Sequence, residues 1–148
     1  MRALVTPRLR LEPLSAEAGA TLDGARPAAL PAWAMMAILA EGVKVGEGGL
    51  LFEDEAEVHL GYRIEEPFRR CGYAVEALSA IVALAFERLG LANLHAEAAC
   101  DNVASQRTLA RLGFVDTGAR STRWSKRRQS YIDYHLYRLD RADRTPAA

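Results

Sequence analysis

A chain of 148 residues with 19 Lys and Arg against 19 Asp and Glu has no formal net charge, so no global field draws it to nucleic acid or to an anionic membrane. Half of the residues are hydrophobic and 26% are charged, the balance of a globular protein, and this length suits one hydrophobic core better than two. Cys71 and Cys100 are too few and too unpatterned for a disulfide framework or a metal site, the amino end lacks the apolar stretch of a leader, and the apolar run 80–86 is too short to cross a bilayer. The expectation is a cytoplasmic protein with no membrane partner and no metal.

In chain order, Leu9 and Leu11 alternate with Arg8, Arg10 and Glu12 as a first strand stopped by Pro13. Ser15 is placed to start a short helix, but Gly19, Gly24, Pro27 and Pro31 break positions 16–31 into one or two helical turns. Trp33 to Ala40 and Val43 to Phe52 read as a hairpin turned at Glu41-Gly42. After the acidic turn Glu53-Asp54-Glu55, Val58, Leu60, Tyr62 and Ile64 alternate with Glu57, His59, Gly61 and Arg63, the period of a strand over 57–64. Pro67 breaks it, and Val75, Leu78, Val82, Ala85, Phe86 and Leu89 then recur at helical spacing up to Gly90. Asn93 to Ala99 is a strand again. A helix between it and strand 57–64 makes a right-handed crossover, which sets the two strands parallel and side by side. Asp101 or Asn102 can cap a helix with Val103, Leu109 and Leu112 facing inward, and Gly113 ends it. Phe114–Arg123 and Tyr131–Leu139 are two last strands joined by a basic loop. The expected architecture is α/β, with helices flanking a mixed sheet of about six or seven strands, residues 1–142 forming one domain and 143–148 a frayed tail.

The strand, tight turn and helix start around Arg69-Arg70-Cys71-Gly72-Tyr73-Ala74 suit an anion. The first amides of a helix have no intrahelical partner and carry the positive end of its dipole, so a phosphate there accepts several N–H bonds at once. Gly72 has no Cβ to hold an oxygen away, and Arg69 and Arg70 bring positive charge to the rim.

Four pieces in this order carry a family resemblance: Thr6-Pro-Arg-Leu-Arg-Leu-Glu-Pro-Leu14, Leu60-Gly-Tyr-Arg-Ile64, Arg69-x-x-Gly72-x-Ala74, and Asp101-Asn-Val-Ala-Ser-Gln-Arg-Thr-Leu-Ala-Arg-Leu-Gly-Phe114. Together they resemble the GNAT superfamily of N-acetyltransferases, and within it the RimJ/RimL branch. The resemblance implies a GNAT fold, mostly antiparallel with a parallel pair formed by the fourth and fifth strands of the family, here 57–64 and 93–99. It implies acetyl-CoA as donor and a primary amine, either a protein N-terminus or a small-molecule amine, as acceptor, with direct attack and no acyl-enzyme. The diphosphate would lie on the amides of Arg70, Cys71, Gly72, Tyr73 and Ala74 beside Arg69. The pantetheine arm would enter a gap between the parallel strands, opened by a bulge at Gly61, and bond backbone groups of Leu60, Tyr62, Arg63 and Ile64. Asn102 would reach the arm, and Ser105 would lie near the sulfur. Two positions depart from the family pattern. Arg70 stands where many members have glycine, and Leu109 stands where many outside this branch carry a tyrosine as acid for the leaving thiolate; Ser105 is the substitute.

An ammonium must lose a proton before it attacks a thioester, and relatives often place a glutamate where this chain has His59. Imidazole chemistry suits a general base near neutrality, and Glu57 is the reserve. A lone strand histidine is more often a half-buried structural residue, and Glu57 reads locally as a solvated strand-end charge. Asn102 and Ser105 have capping as their local alternative. Arg120, Arg123, Lys126, Arg127 and Arg128 around Trp124 make one short basic loop on a neutral domain, a weak case for nucleic acid. The competing reading from another class is a GNAT-fold acyl-CoA-binding or partner-binding module without turnover. Homodimerisation through the carboxy-terminal strands is compatible with either.

Overall fold

The computed structural model describes residues 1–144. Eight strands form one sheet: β1 (Leu4–Val5), β2 (Arg10–Pro13), β3 (Ala32–Ala40), β4 (Val43–Phe52), β5 (Val58–Ile64), β6 (Asn93–Ala99), β7 (Val115–Ser125) and β8 (Ser130–Asp140). Their order across the sheet is β1-β2-β3-β4-β5-β6-β8-β7. All neighbours are antiparallel except β5 and β6, the parallel pair that the crossover requires. The strand beyond the seven read from the sequence is β1, two residues long and so without a period to detect.

Among the described residues, three α-helices accompany the sheet: α1 (Ala16–Leu22), α2 (Tyr73–Ala83) and α3 (Val103–Arg111). Ser15 caps α1 by accepting from Ala18 N–H at 3.0 Å, and irregular backbone fills the proline-bearing stretch after it. The expected helix up to Leu89 changes pitch instead. A π-turn over Leu84–Arg88 follows α2 and buries Leu84, Ala85 and Phe86 in succession, which one stripe of a straight α-helix does not do.

Period-two alternation gives the sheet two distinct faces. One face carries Ala34, Met36, Ile38, Leu50, Leu60, Ile64, Leu94, Ala96 and Leu139, all buried. Helix α2 lies on it, since a Cβ on Gly48 would meet Ile81 Cδ1 and Leu78 Cδ2. Leu22 of α1 and Leu109 of α3 join the same continuous core. Burying an aliphatic side chain of this size is worth about 1.5–3 kcal/mol. The reverse face, between β3 and β6, stays open: Met35, Leu51, His59, Gly61, His95 and Glu97 are half-buried, and Trp33 is exposed.

One expectation is corrected. No bulge occurs at Gly61, because the β4–β5 ladder runs without a shift from Gly46 opposite Ile64 to Phe52 opposite Val58. Gly61 serves a close approach instead: a Cβ there would lie 2.8 Å from Cζ3 of Trp33, whose indole rests on that spot. Arg141–Asp143 forms a 3₁₀ turn and Arg144 Nη1 donates to Glu87 Oε1 at 2.9 Å, while 145–148 lie outside the described residues.

Candidate functional site

The loop from Glu65 to Gly72 leads from β5 into α2. A short 3₁₀ turn (Glu66–Phe68) breaks the strand direction, Arg70 adopts a left-handed conformation at φ 65°, and Gly72 does so again at φ 78° as the N-cap of α2. Among the described residues, no hydrogen bond is donated by the main-chain N–H of Arg70, Cys71, Gly72, Tyr73 or Ala74. These are five donors at the positive end of a helix, the environment an anion requires.

The loop is braced by a segment far away in sequence. Arg8 Nη1 donates to Cys71 O at 2.7 Å, and its guanidinium lies 4.9 Å from the centroid of the Tyr73 ring. Arg8 also pairs with Glu76 in the first turn of α2, Nε to Oε1 at 2.6 Å, and its main-chain N–H reaches Oε2 at 2.8 Å. The Thr6 hydroxyl donates to the same Oε2. Burial pushes the Glu76 carboxyl up, but the bonds from Thr6 and Arg8 outweigh it and hold the group below its ordinary value. Sequence reasoning placed Thr6 to Leu14 in the family pattern without seeing that Arg8 touches the loop. The separation of 63 residues leaves no local signal.

Next to the loop the sheet opens. β5 and β6 share a single rung, His59 opposite His95, and part beyond it toward their carboxy ends. Glu57 O accepts from Glu53 and Glu65 N–H donates to Val45 O, so odd-numbered residues of β5 turn their main-chain groups to β4. Alternation turns those of Leu60, Tyr62 and Ile64 toward the gap and those of Arg63 toward β4. On the other bank, Cys100 N–H to Asp133 O and Arg141 N–H to Ala92 O assign even positions of β6 to β8, leaving Glu97 facing the gap. At the mouth, Arg69 Nε donates to Ile64 O at 2.9 Å, so this side chain ties down the strand end.

Helix α3 starts at the end of β6. Asn102 caps it, with Oδ1 accepting from Ser105 N–H at 3.1 Å, which is its local alternative role. Ser105 Oγ accepts from Tyr62 Oη at 3.1 Å. Tyr62 lies opposite Gly48 and so on the helix-covered face. Leu109 is buried among core residues.

On the reverse face, Glu57 and His59 come together, Oε2 to Nε2 at 3.2 Å. His95 adds a second imidazole, its ring 5.4 Å from that of His59 and its Nε2 3.9 Å from Glu57 Oε1. Burial chiefly lowers the His95 pKa, opposed by Glu57 and assisted by His59 and Arg138. The catalytic candidates thus divide: His59 and Glu57 lie on the open face and Ser105 on the helix-covered one. Sequence reasoning missed His95, which only strand register places beside His59, and Trp33 two strands away. In the basic loop, Arg120 pairs with Asp116, Arg123 with Glu97 and Arg128 with Asp101, so three of its five bases are neutralised within the chain.

Five free amides, nearby arginines and an adjoining gap lined by main-chain donors and acceptors suit a diphosphate joined to an extended, amide-bearing arm. No cluster of three or more metal-ligating side chains occurs among the described residues, and no helix there is long and apolar enough to cross a membrane.

A family model described as an acetyltransferase (GNAT) domain matches residues 8–115. The chain is 33% identical over 73 residues to the uncharacterized N-acetyltransferase YjdG of Bacillus subtilis strain 168; the match covers 48% of this chain and 44% of that one, less than half of the relative. Its fold is like that of a GNAT-family acetyltransferase from Bacillus anthracis, at 13% identity, TM-score 0.71, covering 93% of this chain and 98% of the other. It is also like that of Mycobacterium smegmatis RimJ in complex with CoA-disulfide, at 20% identity, TM-score 0.68, covering 77% and 56% of the two chains.

Proposed function

Because the chain belongs to the GNAT acetyltransferase family, we propose that it moves an acetyl group from acetyl-CoA to a primary amine by direct attack. The observation that carries this reading is the conjunction of undonated amides at 70–74 with a parallel strand pair held by one rung. The amides and Arg70 grip the diphosphate, with Arg8 bracing the loop through Cys71 O. Main-chain groups of Leu60, Tyr62 and Ile64 hold the arm in the gap, and one of their N–H groups polarises the thioester carbonyl. The arm then ends near the closed end of the gap, beside His59. The amine approaches over the open face past Trp33, and His59, oriented by Glu57, takes its proton.

An α-amine releases a proton near ~8 and a lysine near ~10.4, so a protein N-terminus or a weakly basic small amine is the easier acceptor. That preference is consistent with the RimJ/RimL-like branch that the sequence motifs resemble. The exposed free thiols of Cys71 and Cys100 suit a reducing cytoplasm. Strand β7, at the sheet edge and exposed along almost all its length, is where a second copy would add. The reading is tested by measuring CoA release from acetyl-CoA with a panel of N-terminal peptides, polyamines and aminoglycosides. Amine-dependent release is expected. Tight CoA binding without release from any acceptor refutes it in favour of a binding module.

A further inference from the structure

Tyr62 and Ser105 stand 43 residues apart, yet their hydroxyls meet at 3.1 Å. Tyr62 belongs to β5, one bank of the gap, and Ser105 to α3, which packs against β6, the other bank. The hydroxyl pair therefore spans the gap on the helix-covered face, opposite the side that carries His59 and Glu57. A departing thiolate at the end of the gap is stabilised by a donor that reaches the sulfur without standing in the path of the incoming amine. Leu109, one turn further along α3, is buried and apolar and can supply none.

We propose that Tyr62 is the acid for the leaving thiolate and that Ser105 is a positioning residue that orients its phenol. This rests on the acetyl-transfer reading. As the amine nitrogen bonds to the acetyl carbon, the His59–Glu57 pair removes the amine proton. The carbon–sulfur bond breaks with its electron pair left on sulfur, and Tyr62 Oη delivers a proton there. Water returns a proton to the phenolate through Ser105. A phenol ordinarily titrates near ~10 and a thiol near ~8.5, so Tyr62 mainly stabilises the charge as the bond breaks, and its effect falls at or below the lower end of the range for general acids.

Tyr62→Phe keeps the ring and its packing and removes only the hydroxyl. With acetyl-CoA, turnover should fall about 10- to 100-fold. With the acetyl ester of an acidic aryl thiol, which leaves without help, the loss should shrink to about two-fold or less. A binding measurement reads the same contact without turnover. At pH 9, where much of the CoA thiol is ionised, Tyr62→Phe should weaken CoA about 10-fold and leave desulfo-CoA, which lacks the sulfur, unchanged. Ser105→Ala should give a smaller loss with the same dependence on the leaving group. Equal slowing with both donors, no slowing with either, or equal effects on CoA and desulfo-CoA each overturn the assignment. A wild-type protein that acetylates no amine defeats the acetyl-transfer reading itself, and the desulfo-CoA comparison still decides whether Tyr62 touches sulfur.

Discussion

Gly72→Glu tests the diphosphate site with a magnitude that follows from the geometry. Gly72 sits at φ 78°, where a side chain costs about 1–2 kcal/mol, and in a chain this long that lowers Tm by about 2–8 °C. A Cβ there would lie 3.1 Å from Arg8 Nη2, the far end of a flexible side chain that can swing away, so the fold survives. A carboxylate about 5 Å from two phosphate charges, at an effective dielectric of about 40–80, adds about 1.7–3.3 kcal/mol of repulsion. That weakens CoA about 20- to 250-fold. Gly72→Asn supplies the matched control, since asparagine tolerates the left-handed conformation and adds no charge. Calorimetric CoA affinities of the wild type and both variants at low and high salt, alongside thermal melts, separate backbone strain from charge. If Gly72→Glu binds CoA within about three-fold of Gly72→Asn at low salt, no diphosphate lies on this loop.

Glu76→Gln should cost about 1–3 kcal/mol near neutrality by weakening the Thr6 and Arg8 bonds, and should flatten the acid limb of the stability profile. The sign follows from the lowered carboxyl pKa. The native contribution is fully present above the ordinary value of about 4.3 and is lost as pH falls through the lower folded value. Chemical denaturation between pH 3 and 7 checks this, and equal slopes for the two proteins refute it. On the open face, Trp33→Ala should raise the acceptor KM about two- to five-fold while acetyl-CoA affinity holds, since an exposed indole contact with an amine is worth about 0.5–1 kcal/mol. Gly61→Ala should act in the same direction, because its Cβ would come within 2.8 Å of the indole and displace it. Steady-state kinetics against the best acceptor from the panel decides, and an unchanged KM in both variants removes Trp33 from the acceptor path.

Much of the fold is written in local patterns. The hairpin of β3 and β4 turns at Glu41-Gly42 as read, with left-handed φ values of 50° and 79°, and β6 has the bounds its composition suggests. These features depend on neighbours within a few residues, where turn chemistry and alternation act. The π-turn after α2 was not legible, because Leu84, Ala85 and Phe86 fit a buried helix of either pitch and only packing selects between them. The glycine in β5 fits a bulge and a close approach equally in sequence, because both call for a missing Cβ. Trp33 decides the case from another strand.

The site divides along the same line. The phosphate loop is contiguous in sequence and could be read as a motif, whereas the open face is assembled by register. Trp33 opposite Leu51, Leu51 opposite His59, His59 opposite His95 and His95 opposite Arg138 form one row across five strands. Each step is a separate pairing, and a slip of one residue in any of them would turn part of the row to the core side. Within β5 the same alternation sets His59 on one face and Tyr62 on the other, three residues apart and so of opposite parity. In the tetrahedral adduct the amine nitrogen and the sulfur occupy different corners of one carbon, so a base for the first and a donor for the second reach it from different directions. A single strand running past that carbon can therefore present a base to one side and an acid to the other, provided the two residues are separated by an odd number of positions.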